Sequence, residues 1–444
     1  MTVEINASVR STTSTPFQDI RALLLTHADA VWMIVLALIA GVYSLQYNIL
    51  LQAIPHDTTF HIYAAQQILE GHAIYRDVAI IKAPLADFAT AFALIFSRIF
   101  GISDTSGARV MSLLVSMAVT SATYLAGRVL FRSHAVGVIA GLVMAGWDFY
   151  GLRAVTGPEP KSFLILFSLL TFVCIAQRRW VGAGVCGAFT TLAWQPGLMV
   201  AGFAVLGAFV APWQESKPTT HGEGIERGLM NTLRVVGGFA MPFVLVLAYL
   251  AAQDAVLDAW RATIGANLKF FGETQARTTM PQLIRTNIEL IQTYSRLYCF
   301  SRPENWLIAF GTLGFGGIIA TEIVGAARNR RLPLNGERTP FILYGLGFAT
   351  FTLIDFDFCP DLFPLLPVLA IGTGWLAWTS ARVLAGLFAR YTNQSNAPRA
   401  QIAAIVLIAL ALVSVYILDV RAYRVRGVNY LDQLAVSEAA KKYL

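Results

Sequence analysis

Charge is what this sequence has least of. Asp, Glu, Lys and Arg supply 13% of its 444 residues, about half the share of an ordinary soluble domain. That shortage excludes a soluble fold of this length and fits a chain that mostly faces lipid or packs helix on helix within a bilayer. Cysteine is also scarce. Cys174, Cys186, Cys299 and Cys359 form no C-x-x-C pair, so they carry no metal or redox signature, and a disulfide between Cys299 and Cys359 is left open. No H-E-x-x-H, no fixed-period repeat and no pair of interrupted helices is present, which weighs against zinc hydrolases, solenoids and inverted-repeat transporters. The N-terminal segment lacks a small-residue cleavage site, so residues 1–30 are expected to be a cytoplasmic tail before an uncleaved first span. The net charge of +7 lies in short loops and forms no stripe, which argues against a nucleic-acid partner.

Apolar runs, by contrast, are everywhere. Eleven read as spans, near 31–51, 107–127, 134–150, 161–177, 180–194, 196–213, 235–253, 306–327, 340–354, 362–384 and 401–418. A further run at 84–101 decides the side of every later loop. If it does not cross, fourteen Lys and Arg residues in the connections at 128–132, 178–179, 217–234, 328–338 and 382–399 lie inside, against Arg153 and Lys161 in the short outer turns. Positive residues favour the inside, so this run is expected to be a surface helix. The divisions that follow are a transmembrane module at 31–213 with outer loops 52–106 and 151–161, a cytoplasmic linker at 214–234, and further spans over 235–418. The latter carry an outer loop at 254–305, and an outer tail occupies 419–444. Within 254–305, AVLDAWRATIGANL and PQLIRTNIELIQTY have helical period and are expected to lie near the interface.

Ionisable groups concentrate in IPHDTTFHIYAAQQILEGHAIYRDVAIIKAPL, directly after the first span. Asp57 reads either as the N-cap of the helix that follows or as a carboxylate general base at the membrane surface. Lys82 reads as a snorkelling anchor or as a cation facing a phosphate. Glu159, between prolines in TGPEPK, is a rigid interhelical turn or a positioned acid. His56, His61 and His72 read as interfacial rather than metal-binding, since His56 and His61 are five apart and splay around a helix. No metal site is assigned. The D-x-D spacing of Asp355 and Asp357, with Asp361 nearby, leaves a divalent cation open, although a short acidic turn explains it equally.

The order of these motifs resembles the GT-C glycosyltransferases, in particular the protein O-mannosyltransferase-like branch that includes the aminoarabinose transferases of lipid A. The match runs through Asp57, Tyr63, Leu69, Gly71, Tyr75, Asp77, Lys82, Pro84, Gly101 and Arg109, then GLRAVTGPEPKSF, then DLFPLLPVLAIGTG. It covers about 31–200 well and 340–375 loosely. His56-Asp57 stands where the family often has Asp-Glu, and Gln195 where it often has a basic residue. The resemblance implies an all-α GT-C-like bundle of about eleven spans with amphipathic surface helices in the first outer loop. It implies an inverting transfer of a sugar, hexosyl or pentosyl, from a polyprenyl-phosphate carrier to an acceptor glycan, lipid or protein. Asp57 and Glu159 would be catalytic, Lys82, Arg153 and Lys161 would hold the donor phosphate, and His56, His61, Tyr63, Tyr75 and Asp77 would contact substrate. The expected setting is a bacterial inner membrane with the site facing the periplasm. A lipid or sugar flippase, and a non-catalytic GT-C-like subunit, are the competing readings; the scarcity of mid-span charge disfavours ion-coupled transport.

Overall fold

In a computed structural model of the chain, the described residues are 27–47, 49, 52, 54–214, 221–277, 279–295, 299–300, 302–328, 338–392 and 401–409. Apart from turns and one isolated bridge between Ile74 and Val78, these residues form helices. The helices up to the middle of the chain are α1 (Ala28–Leu45), α2 (His56–Leu69), α3 (Leu85–Ile99), α4 (Asp104–Phe131), α5 (His134–Ala145), α6 (Asp148–Thr156), α7 (Pro160–Ala176), α8 (Trp180–Ala193) and α9 (Leu198–Val210). They are followed by α10 (His221–Ala252), α11 (Val256–Trp260), α12 (Ala266–Arg277), α13 (Met280–Tyr294), α14 (Arg302–Arg328), α15 (Thr339–Ile354), α16 (Leu366–Thr392) and α17 at 401–409.

Every apolar run expected to cross coincides with a helix, although the eleventh is described only over 401–409. Among the described residues, six stretches are long and apolar enough to span a bilayer, or seven if α5 and α6 count as one; α7, α8 and α15 are apolar but shorter. Helix length thus accounts for six or seven crossings, not for all eleven. The chain is nevertheless a multi-pass integral membrane protein.

The run at 84–101 becomes α3, whose fifteen residues rise about 22 Å, short of the ~30 Å hydrocarbon layer. Its buried positions Ala86, Asp87, Thr90, Ala91, Leu94 and Ser97 recur every three or four residues, while Phe92, Ile95, Phe96 and Ile99 are exposed on the remaining surface. One face lies on protein and the other is exposed and apolar, a surface suited to lipid.

Three expected boundaries change. The run at 134–150 breaks after Ala145, and α5 and α6 meet at 67°. Most of the outer turn expected at 151–161 is therefore the helix α6, which ends at Thr156; Gly157 and Pro158 then lead into the start of α7, capped by Glu159. The linker expected at 214–234 is helical from His221 onward, because GLMNTLRVV extends the apolar face of the following span backward; residues 215–220 lie outside the described set. The expected tails fall largely (1–30) or wholly (419–444) outside it. Loop 254–305 does hold two helical units, one running from α11 through a π-helical turn at Arg261–Gly265 into α12, the other α13.

Packing follows from small residues where helices cross. A Cβ on Gly314 or Gly372 would run into backbone of the facing helix, so α14 and α16 approach closely only because both are glycine. Gly184 of α8 and Gly238 of α10 play the same part. Around these contacts α4, α5, α7 and α16 enclose the central core, which includes Trp147, Tyr150, Phe172 and Tyr344. On the face that receives the loops, α2 and α3 pack on each other and on the start of α4 through Ile62, Ala65, Ala91, Leu94 and Ala108. The connection between them seats Ala73, Ile74 and Tyr75 on Leu250, Ala255 and Ala259.

Candidate active site

The start of α2 places Asp57. Pro55 is the residue before the helix, no side chain caps it, and Asp57 lies within the first turn. The N-cap reading of Asp57 is therefore corrected: its fixed φ suits Pro55 to the position immediately before the helix, and the Asp57 carboxylate points outward instead. It is 62% exposed and forms an ion pair with Lys82 at 3.5 Å.

Lys82 is held there by its backbone. The Tyr75 hydroxyl donates to the Lys82 carbonyl at 2.9 Å. Tyr75 itself sits in the left-handed region, φ 73°, with its N–H donating to Val78. The turn is closed by Asp77, which accepts from the Ala73 N–H at 2.8 Å and from two nitrogens of Arg76. These hydrogen bonds hold the Asp77 carboxyl down to about 2. Arg76 in turn donates to the Gln253 carbonyl at 2.6 Å, tying the turn to the end of α10. Tyr75 and Asp77, expected to contact substrate, are thus builders of the turn that presents Lys82. Gly71, φ 89°, lets the chain leave α2 in a conformation other residues rarely adopt.

His61, also expected at the surface, is buried. Its Nδ1 meets Asp87 Oδ1 at 2.6 Å, and both side chains are nearly inaccessible. Burial pushes the Asp87 carboxyl up, against the opposing pull of His61 and Lys82. Tyr63 on α2 is half exposed. The side chain of His56 lies outside the described residues.

A second group borders the first. Glu159 caps α7, accepting from the Lys161 N–H at 3.4 Å, with Pro160 in the first helical position. It is only 6% exposed, and its other oxygen lies 3.8 Å from Arg153. Lys161 is paired with Asp361 and sits 4.7 Å from the centre of the Trp194 ring. Asp361 also accepts from the N–H groups of Asp357 and Phe358, so the D-x-D turn spends that carboxylate on its own closure and on Lys161. Glu159 and Lys161, both expected to meet substrate, are consequently committed to the helix cap and to Asp361, while Arg153 lies near Glu159 without a hydrogen bond between them. Among the described residues, no group of three or more His, Cys, Asp or Glu side chains is placed to hold a metal ion.

The two groups form one continuous face. Gly157 packs on Thr58, the neighbour of Asp57. Gln195 donates to the carbonyl of Ile81 at 3.2 Å, next to Lys82, while its neighbour Trp194 lies under Lys161. Arg109, buried, donates to the carbonyls of Gln52 and Thr156. Near the Cys299–Cys359 disulfide, an apolar cavity of about 360 Å³ opens between α13, α14, α15 and α16, with Phe300, Leu362 and Leu366 in its lining.

Sequence reasoning missed Asp87 and Asp148. Each is an aspartate inside an apolar run, and that is the signal that could have found them. Asp148, fully buried at the α5–α6 bend, accepts from the Tyr43 hydroxyl and, at 2.7 Å, from that of Tyr47, while its N–H donates to Glu304 at 2.8 Å.

No family model and no curated protein sequence matches the chain. Solved structures do. The Archaeoglobus fulgidus oligosaccharyltransferase in its apo form superposes with a TM-score of 0.50 at 12% identity, over 89% of this chain and 56% of that one. The same enzyme in complex with Zn and sulfate gives 0.50 at 13%, over 89% and 53%. The archaeal oligosaccharyltransferase AglB from Archaeoglobus fulgidus with an inhibitory peptide and a dolichol-phosphate gives 0.49 at 13%, over 90% and 56%. The chain spans about half the length of these proteins. At such identity the likeness establishes the fold, and that fold is GT-C.

Proposed function

We propose that the chain is an integral-membrane glycosyltransferase. It moves a hexosyl or pentosyl group from a polyprenyl-phosphate carrier to a hydroxyl or amine of a glycan, lipid or protein acceptor, with inversion at the anomeric carbon. The observation that carries this reading is the solvent-facing Asp57–Lys82 pair, 3.5 Å apart, on a GT-C bundle. An accessible carboxylate and an accessible cation are what the reaction needs, with the sugar entering between them and parting the pair. Asp57 takes the acceptor proton as the acceptor oxygen or nitrogen bonds to the anomeric carbon. The bond from that carbon to the phosphate oxygen breaks on the opposite side, and the electron pair leaves with polyprenyl phosphate, whose growing charge Lys82 balances.

The partition of cations supports Lys82 over its neighbours: it is 41% exposed, whereas Lys161 is 15% exposed and paired. Glu159 and Arg153 then brace the face rather than touch the reacting atoms. The apolar cavity next to the Cys299–Cys359 disulfide offers the bundle a place for a carrier's hydrocarbon chain. That disulfide also favours an oxidising compartment on this side, in keeping with a bacterial inner membrane whose site faces the periplasm.

The test supplies purified protein with a panel of polyprenyl-phosphate sugars and measures release of polyprenyl phosphate, with Asp57→Asn alongside. Release by the native protein and not by the variant supports the assignment and identifies the donor. Equal release by both removes Asp57 from the chemistry. Movement of carrier across a vesicle bilayer without any release would point to a flippase instead.

A further inference from the structure

The site carries a second acid that the transfer chemistry does not use. Asp87 is wholly buried in the first turn of α3, and His61 on α2 is 2% exposed. Their 2.6 Å contact joins the helix that carries Asp57 in its first turn to the helix that follows Lys82. On α2, His61 lies four residues beyond Asp57, one helical turn. Lys82 is five residues ahead of Asp87 and near enough for its charge to act on that carboxylate.

Stability alone is a poor reason for this pair. Among the described residues, neither His61 Nε2 nor Asp87 Oδ2 has a hydrogen-bond partner, and buried polar atoms left unpaired are costly. Two apolar side chains would fill the same space without that cost. What an apolar pair could not supply is direction. The directional Nδ1–Oδ1 contact adds to the packing of Ile62, Ala65, Ala91 and Leu94 in fixing α2 against α3.

We propose that His61 and Asp87 are positioning residues that set the distance between the Asp57 carboxylate and the Lys82 ammonium. The proposal rests on the glycosyltransferase reading for its consequence in catalysis, but not for its geometry. Tyr75, by holding the Lys82 carbonyl, fixes the backbone from which the Lys82 side chain extends, and Asp87 five residues on fixes the helix that this backbone enters. Removing the pair should therefore misalign base and phosphate cation while leaving both present. A misplacement of about 1 Å at a reacting centre costs up to a hundredfold in rate.

Two readouts on the full-length protein separate the geometry from the function. In a Cys174→Ser, Cys186→Ser background, Asp57→Cys and Lys82→Cys are introduced together, and the rate of oxidative cross-linking is compared with and without His61→Ala. A rate changed severalfold by His61→Ala supports the proposal even if no donor is ever turned over; an unchanged rate overturns it. In the otherwise native protein, His61→Ala and Asp87→Ala should lower kcat about tenfold to a hundredfold with donor KM within about twofold. His61→Asn, whose amide can donate from nearly the position of Nδ1, should restore most of the loss. Failure of His61→Asn to do better than His61→Ala would overturn the positioning role. Should His61→Ala not fold, His61→Leu, which fills the space without the donor, replaces it in both comparisons. A changed cross-linking rate in a protein that turns over no donor would instead dismiss the transferase reading and keep the geometry.

Discussion

Lys161 and Asp361 stand 200 positions apart in sequence and close an ion pair at the face that carries Asp57. The pair ties the start of α7 to the turn before α16. Both side chains are largely buried, so the attraction is less screened than on an open surface, and removing one partner strands the other.

Lys161→Met should therefore act on stability, lowering it by about 3 kcal/mol, and Lys161→Met with Asp361→Asn should recover part of that loss. Lys82→Met should do the reverse. Its partner Asp57 is well exposed, so thermal unfolding in detergent should shift little, while donor KM rises or kcat falls at least tenfold. Loss of transfer in Lys161→Met without a change in unfolding temperature would return Lys161 to the phosphate.

Asp148 makes a similar distinction possible deeper in the bundle. It accepts from Tyr43 and Tyr47 at the α5–α6 bend, and Asp148→Ala leaves two buried hydroxyls without that acceptor. A loss of about 2–4 kcal/mol is expected, seen as a lower unfolding temperature, with donor KM of the surviving folded protein unchanged. An altered KM at unaltered stability would mean that the buried cluster reaches the substrate.

The Cys299–Cys359 disulfide closes a separation of 60 residues. On chain-entropy grounds a bridge of this span contributes about 4 kcal/mol, so Cys359→Ser or reduction should destabilise α13 and the adjoining cavity. Gel mobility with and without reductant checks the bond. Hydrogen exchange over 280–295 checks the consequence, and unchanged exchange would mean that packing of Phe356 and Leu362 suffices.

Asp77 supplies a pH dependence with a definite sign. Its carboxyl is held down to about 2 from an ordinary 3.8 in the folded chain. The stabilisation is therefore fully present above about pH 4 and is lost as pH falls towards 2. Proteolytic susceptibility of the 70–84 turn should rise over that interval, and Asp77→Asn should be susceptible at all pH values with the step abolished. A native-like Asp77→Asn would show that Tyr75 alone holds Lys82.

Much of this protein was legible in one dimension because the bilayer imposes a one-dimensional rule. Apolar runs mark helices, and the distribution of Lys and Arg marked 84–101 as a surface helix; the run forms the fifteen-residue α3. Asp57, Lys82, Glu159 and Lys161 were likewise found by residue type, and the fold gathers them on one face. Their states were not legible. Whether a lysine is accessible depends on what comes opposite it, and Asp361 and Trp194 reach Lys161 only through the packing of α7 against distant segments. Asp87 drew no reading from the sequence, and its role depends on α2 bringing His61 to it. Composition and periodicity thus determined that helices form and where they run, since those follow from local hydrogen bonding and transfer to lipid. Only tertiary structure decided which charges are spent on each other and which remain exposed, because pairing depends on proximity through space.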